Sequence, residues 1–172
     1  MNQKIIDEIE NQNYEEITHQ LEEFLVEQIE KNKAEGIILG LSGGVDSAVL
    51  AYLCKRSLKE KTLAIIMPDT EITPKYETED ALKMIALTGI EYKLIDIKPI
   101  VKEYSMYLEP NDWAKGNLRA RIRTNILYYY ANAKNYLVLG SRTKANILLD
   151  TLQNLEMVLQ TWFQLSHYTN SR

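Results

Sequence analysis

Cysteine occurs once in the chain, at Cys54, and histidine only twice. A lone thiol excludes an internal disulfide framework and any metal site built from several cysteines. Long apolar runs are missing as well. No stretch reaches the roughly 18–20 residues needed to span a bilayer. The opening residues, MNQKIIDEIENQNYEE, are too charged for a secretory leader, so a cytoplasmic location is expected. Positive charge is in deficit, with 20 Lys+Arg against 24 Asp+Glu, a net charge of -4 and a pI near 5.3. That balance argues against a general nucleic-acid or anionic-membrane partner. No internal repeat or low-complexity linker divides the chain. What remains is one domain, or part of one, in 172 residues that are 45% hydrophobic and 26% charged.

The apolar pattern gives the layout. Ile5, Ile6 and Ile9, then Ile17, Leu21, Phe24, Leu25 and Ile29, predict two amphipathic helices broken near Asn11 to Asn13. IILGL (37–41), TLAIIMP (62–68), EYKLIDI (91–97) and YLVLG (136–140) are short apolar runs suited to buried strands. Between them lie helical patterns at 48–58, from Pro74 to a Gly89 C-cap, over IVKEYSMYL (100–108) and at 117–133. Strands alternating with helices predict an α/β domain with a parallel sheet.

LSGGVDS (41–47) carries the chemistry, because it stands between a buried strand and a helix. Adjacent glycines let the backbone turn sharply and approach an anion without Cβ interference. The helix start then directs N–H groups and its positive dipole end at that anion. Ser42 and Ser47 add hydroxyl donors. Asp46 would repel a phosphate directly, and a bridging Mg²⁺ resolves the conflict. The GK[ST] ending of a Walker A loop is absent. Cys54 is read as a core residue. Residues 127–130 (LYYY) are read as packing or a dimer face.

The loop resembles the pyrophosphate loop of the N-type ATP pyrophosphatases. The resemblance implies an adenine nucleotide α-hydrolase-like, Rossmann-like parallel sheet with helices on both faces, and cleavage of ATP to AMP and pyrophosphate. Within that group, IIMPDTEITPKYETEDALKMIALTGI and KGNLRARIRTNILYYYANAKNYLVLGS (115–141) resemble the ammonia-dependent NAD⁺ synthetases. That family makes NAD⁺, AMP and pyrophosphate from deamido-NAD⁺, ATP and ammonia through an adenylated nicotinate. By likeness, Ser42, Gly43, Gly44, Val45, Asp46 and Ser47 would hold the ATP phosphates, and Asp46 would also ligate Mg²⁺. Met67 and Ser141 would contact ATP as well, and Arg121 would bind deamido-NAD⁺. Guanidinium pairing with a carboxylate or pyrophosphate suits that last role. Arg119 and Arg123, four apart on another face, are read as a solvated basic stripe. The resemblance also implies a homodimer, and free or partner-supplied ammonia because no glutaminase unit is expected in this length. Two rival readings stand beside it: another pyrophosphatase, either a GMP synthetase ATPase subunit or a tRNA thiolase, and a non-catalytic nucleotide-binding remnant.

The end of the chain departs from the pattern. Residues 145–172 hold only three charges, at Asp150, Glu156 and Arg172. After LVLG the family runs through a TSNKSE-like stretch, whose Glu ligates Mg²⁺, to GYFTKxGDG, whose Lys and Asp contact deamido-NAD⁺. Here Asn146 stands at the Glu position and no GDG follows. Back-translation with one added nucleotide after a TCA codon for Ser141 reads STNKSEYLIGYFTKFGDGASDL. The expected organisation is therefore an incomplete synthetase-like domain over 1–141, lacking its C-terminal part, and an out-of-frame tail over 142–172. Poor stability and little catalysis would follow.

Overall fold

A computed structural model describes residues 13–140. The apolar positions Ile5, Ile6 and Ile9, Ser141 and the whole 142–172 tail lie outside the described residues. Nine elements follow in order: α1 (Tyr14–Lys31), β1 (Gly36–Gly40), α2 (Val45–Leu58), β2 (Thr62–Ile66), α3 (Lys75–Thr88), β3 (Glu91–Leu94), α4 (Lys98–Ser105), α5 (Asp112–Lys134) and β4 (Tyr136–Leu139).

The helix ends follow local chemistry. Asn13 caps α1, its side chain accepting from the Glu16 N–H, so the break expected near Asn13 is a helix start. Pro74 precedes α3, and Gly89 closes it at φ 64°. The long helix begins five residues before the expected 117. Asn111 draws it back by accepting from the Ala114 N–H at 3.0 Å, which carries Gly116 into the helix interior. Likewise α2 starts at Val45 rather than 48, directly from the glycine loop. The third strand stops at Leu94 rather than 97. Beyond it the Ile97 N–H still donates to the Pro68 carbonyl at 2.9 Å, but proline has no N–H to return and the ladder ends.

All strand pairs are parallel, in the order β3-β2-β1-β4. The chain steps outward from β1 to β2 and β3, then crosses back to place β4 on the other side of β1. β1 and β2 are buried on both faces, as their unbroken apolar runs require. Their residues alternate between two cores. Ile37, Leu39, Ala64 and Ile66 pack with Leu25 and Ile29 of α1, Ala51 and Leu53 of α2 and Ala81 of α3. Ile38, Leu63 and Ile65 pack on the opposite face with Val101 of α4 and Ile122 and Ala131 of α5. Each of the leucine, isoleucine and valine side chains contributes about 1.5–3 kcal/mol when fully buried. The expected parallel α/β sheet with helices on both faces is borne out.

Cys54 sits wholly inside the first core, and burial pushes its thiol up to about 12. It is a core residue, as expected. Among 127–130, Tyr130 packs into the second core under the Lys93 ammonium, 5.3 Å from the ring, while Tyr129 is exposed. No described helix is long and apolar enough to cross a membrane.

Candidate nucleotide site

The glycine loop leaves the carboxyl end of β1, where the strand order changes direction, with β2 and β3 on one side and β4 on the other. Open α/β sheets bind ligands at such a point. Gly43 makes the turn at φ 85°. It also lies against the backbone of Glu77 in the first turn of α3, where an added Cβ would collide with the Glu77 carbonyl. Gly44 differs. Its φ of -79° is open to any residue, and its place is the N-cap of α2. The sharp turn expected of two glycines thus rests on Gly43 alone.

Two hydroxyls brace the loop. Ser47, buried, donates from Oγ to the Gly44 carbonyl at 2.9 Å. With that proton committed, the 3.0 Å contact between the two Oγ atoms has Ser42 donating to Ser47. The Ser42 N–H donates to Ser47 Oγ and the Gly44 N–H to Ser42 Oγ, both at 3.2 Å. The N–H groups of Gly43, Val45, Asp46 and Ser47 find no acceptor among the described residues. Such donors at the positive end of a helix are the arrangement that can receive an anion. Val45 and Asp46 are exposed there, and the Asp46 carboxylate has no ion pair among the described residues.

Beside the loop a cavity of about 390 Å³ opens between the carboxyl ends of β1 and β2 and the helices α3 and α5. Ser42 stands at one side. Met67, Arg123 and Leu127 line another, and Thr73 from the turn before α3 and Glu77 from its first turn approach as well. The sequence-predicted residues 42 and 67 therefore share one space. Arg121 does not line it and is exposed on α5, projecting away from its neighbours as its spacing predicts.

The reading of Arg119 and Arg123 as a solvated stripe is corrected. Arg119 has only 12% of its side chain exposed and its Nε meets Oδ2 of the buried Asp69 at 2.7 Å. Arg123 is half-buried, donating from Nε to the Met67 carbonyl at 2.9 Å. Burial lowers its guanidinium from the ordinary value, the Asp69 and Glu77 charges oppose that shift, and Arg119 adds to it. Both arginines face inward because β2 ends beneath them with two acceptors, the Met67 carbonyl and the Asp69 carboxylate. Helical spacing placed the pair on one face. Nothing in a single sequence marked Asp69 as the buried partner, fifty residues away.

The family model for NAD synthase matches residues 17–150. The chain belongs to the NAD synthase family. The NH₃-dependent NAD⁺ synthetase of Staphylothermus marinus is 44% identical over 148 residues, covering 84% of this chain and 54% of that protein. That of Hyperthermus butylicus is 42% identical over 147 residues, covering 84% and 53%. Among solved structures, the NH₃-dependent NAD synthetase from Campylobacter jejuni in complex with nitrate matches with a TM-score of 0.74 and 34% identity, covering 92% of this chain and 74% of that one. The chain spans about half the length of the curated relatives it matches. NAD synthase membership and the fold agree with the resemblance read from residues 41–47 and 115–141.

Two outcomes test this candidate site. Gly43→Ala forces a Cβ into both a left-handed backbone and the Glu77 carbonyl. It should cost at least ~1–2 kcal/mol from the backbone alone, and it should weaken binding of anionic ligands in titration; wild-type affinity would show that the loop tolerates a Cβ. Arg119→Met strands the Asp69 carboxylate, and urea unfolding should show a loss of about 3–5 kcal/mol. Restoration of much of that loss by adding Asp69→Leu is expected, and a loss below ~1 kcal/mol in the single variant would mean the pair does not clamp α5.

Proposed function

We propose that this chain serves ammonia-dependent amidation of deamido-NAD⁺, binding ATP at residues 42–47 and giving NAD⁺, AMP and pyrophosphate. One observation carries the reading: four N–H groups at the head of α2 with no acceptor among the described residues, beside a cavity at the carboxyl ends of β1 and β2. The names of the relatives, NH₃-dependent NAD⁺ synthetases, support the substrate choice. ATP lies with its phosphates on the N–H groups of Gly43 to Ser47 and its adenine toward Met67. An oxygen of the nicotinate carboxylate attacks the α-phosphorus, pyrophosphate leaves, and ammonia displaces AMP from the adenylate. The loop's fixed donors meet the charge that grows on the departing pyrophosphate, without reorganisation at the moment of reaction. Arg121 orients deamido-NAD⁺ from the exposed face of α5. A homodimer and a cytoplasmic location belong to the same reading, by likeness to the family.

The residues present fit Mg²⁺. Among the described residues no cluster of three or more ligating side chains exists, and Mg²⁺ ordinarily needs only one or two carboxylates with substrate phosphates. The exposed Asp46 supplies one such carboxylate, and the ion would neutralise phosphate charge there. Residues 142–172 are part of the proposal as a shifted reading frame: Asn146 replaces the family's Glu and the Gly-Asp-Gly run is missing, so amidation by this 172-residue chain is expected to be slow or absent.

Calorimetric titration tests the function directly. Wild-type chain should bind ATP with Mg²⁺ and also deamido-NAD⁺, and Asp46→Asn should weaken ATP binding in Mg²⁺ while leaving the fold intact. Unchanged ATP affinity would remove the metal role, and no response to deamido-NAD⁺ would count against the synthetase reading. Resequencing the gene across codons 141–142 decides the tail: an uninterrupted frame with no STNKSE-encoding alternative nearby contradicts the shift.

A further inference from the structure

Among the described residues lining the cavity, Arg123 is the cation that the proposed ATP site leaves unassigned. It lines the cavity on the side of Met67, with Ser42 of the phosphate loop at another edge. Its Nε is held by the Met67 carbonyl, which fixes the plane of the guanidinium. Its other N–H groups form no hydrogen bond to a described residue. The charge next to it is already matched, because Arg119 is committed to Asp69 at 2.7 Å. Glu77 lines the same cavity from the α3 side, and its charge acts on Arg123. A rigid fork of donors with spare N–H groups, half removed from water, calls for acceptors from a ligand.

We propose that Arg123 is a nucleotide-contacting residue, its guanidinium edge donating to acceptor atoms of the nucleoside part of ATP while residues 42–47 hold the phosphates. This rests on the reading of the loop as an ATP site. The division of labour follows from position. The loop's free N–H groups lie at the head of α2, whereas Arg123 sits along α5 beside Met67, whose thioether offers an apolar, polarisable surface to a base. Glu77 faces the same space and can accept from ribose hydroxyls. The Asp69–Arg119 pair acts at one remove: it seats α5 on the end of β2 and so sets where Arg123 stands.

The experiment compares two ligands on the full 172-residue chain, ATP and inorganic tripolyphosphate, each with Mg²⁺. Tripolyphosphate has the phosphates and no nucleoside. Arg123→Met keeps the length and apolar stem and removes the donors. ATP affinity should fall by about 10- to 100-fold, the range for hydrogen bonds to a charged group, while tripolyphosphate affinity stays within about twofold. Retained tripolyphosphate binding also shows that the variant is folded. Should Arg123→Met not fold, Arg123→Lys serves instead. It keeps the charge but loses the planar fork, and ATP should again weaken about fivefold or more against unchanged tripolyphosphate. Equal loss of both ligands in a folded variant, or loss of neither, overturns the assignment. Wild-type chain that binds neither ligand would instead defeat the ATP-site reading itself, a result distinct from either of those.

Discussion

Parallel strands buried on both faces leave little freedom in how the chain can run. β1 and β2 carry apolar side chains on alternate sides, so helices must cover both surfaces, and every connection must climb over the sheet and return in the same direction. Once β2 and β3 occupy one edge of β1, the next strand takes the other edge. The loop leaving β1 toward α2 then passes the end of β2, and a crevice is left at the carboxyl ends of these two strands. The junction of α5 and β4 is tied to that of α1 and β1 by the Glu35 N–H donating to the Asn135 carbonyl at 2.8 Å and by Asn135 Nδ2 donating to the Lys33 carbonyl at 3.0 Å. Those bonds hold β4 in register with β1 and keep the crevice where the glycine loop begins.

Two kinds of polar chemistry are fitted into that crevice. The loop offers backbone donors whose orientation is set by serine hydroxyls and by the close approach of α3 to Gly43. The opposite wall is assembled by side chains of α5 reaching the end of β2, one arginine to a buried carboxylate and one to a carbonyl. A buried ion pair adds little net stability against an apolar alternative, but its disruption is costly because one charge is left without a partner. Here that asymmetry gives α5 a single seat. The same α5 also presents Arg121 outward, so one helix serves the cavity and the exposed face at once.

Much of this could be read from local residue patterns. The four strands were legible because each is a short apolar run bounded by glycine, proline or charge, and the loop was legible because its glycines, serines and aspartate have few structural reasons to stand together. Gly89 and Pro74 mark the ends of α3 by their own backbone limits. The features that local pattern does not show have a common cause. The starts of α2 and α5 were placed late because the capping groups, Gly44 and Asn111, lie in segments without apolar periodicity. The adjacent glycines read as one sharp turn, and only Gly43 adopts the left-handed conformation that such a turn needs. Arg119 and Arg123 were read as solvated because charge normally faces water, and their acceptors belong to the end of a strand far away in sequence. Asp69 was missed for the same reason: a carboxylate after a proline in a turn carries no local sign of burial.

The central claim is spatial: a nucleotide is held by the loop after β1 and by the end of β2 with α5. Amide hydrogen exchange with and without ATP and Mg²⁺ tests it most directly. The account predicts slowed exchange at residues 43–48, in the first turn of α3 and around 67–69, with little change in α1 and in the outer turns of α4. Slowed exchange confined to other segments, or none at saturating ATP, would contradict it.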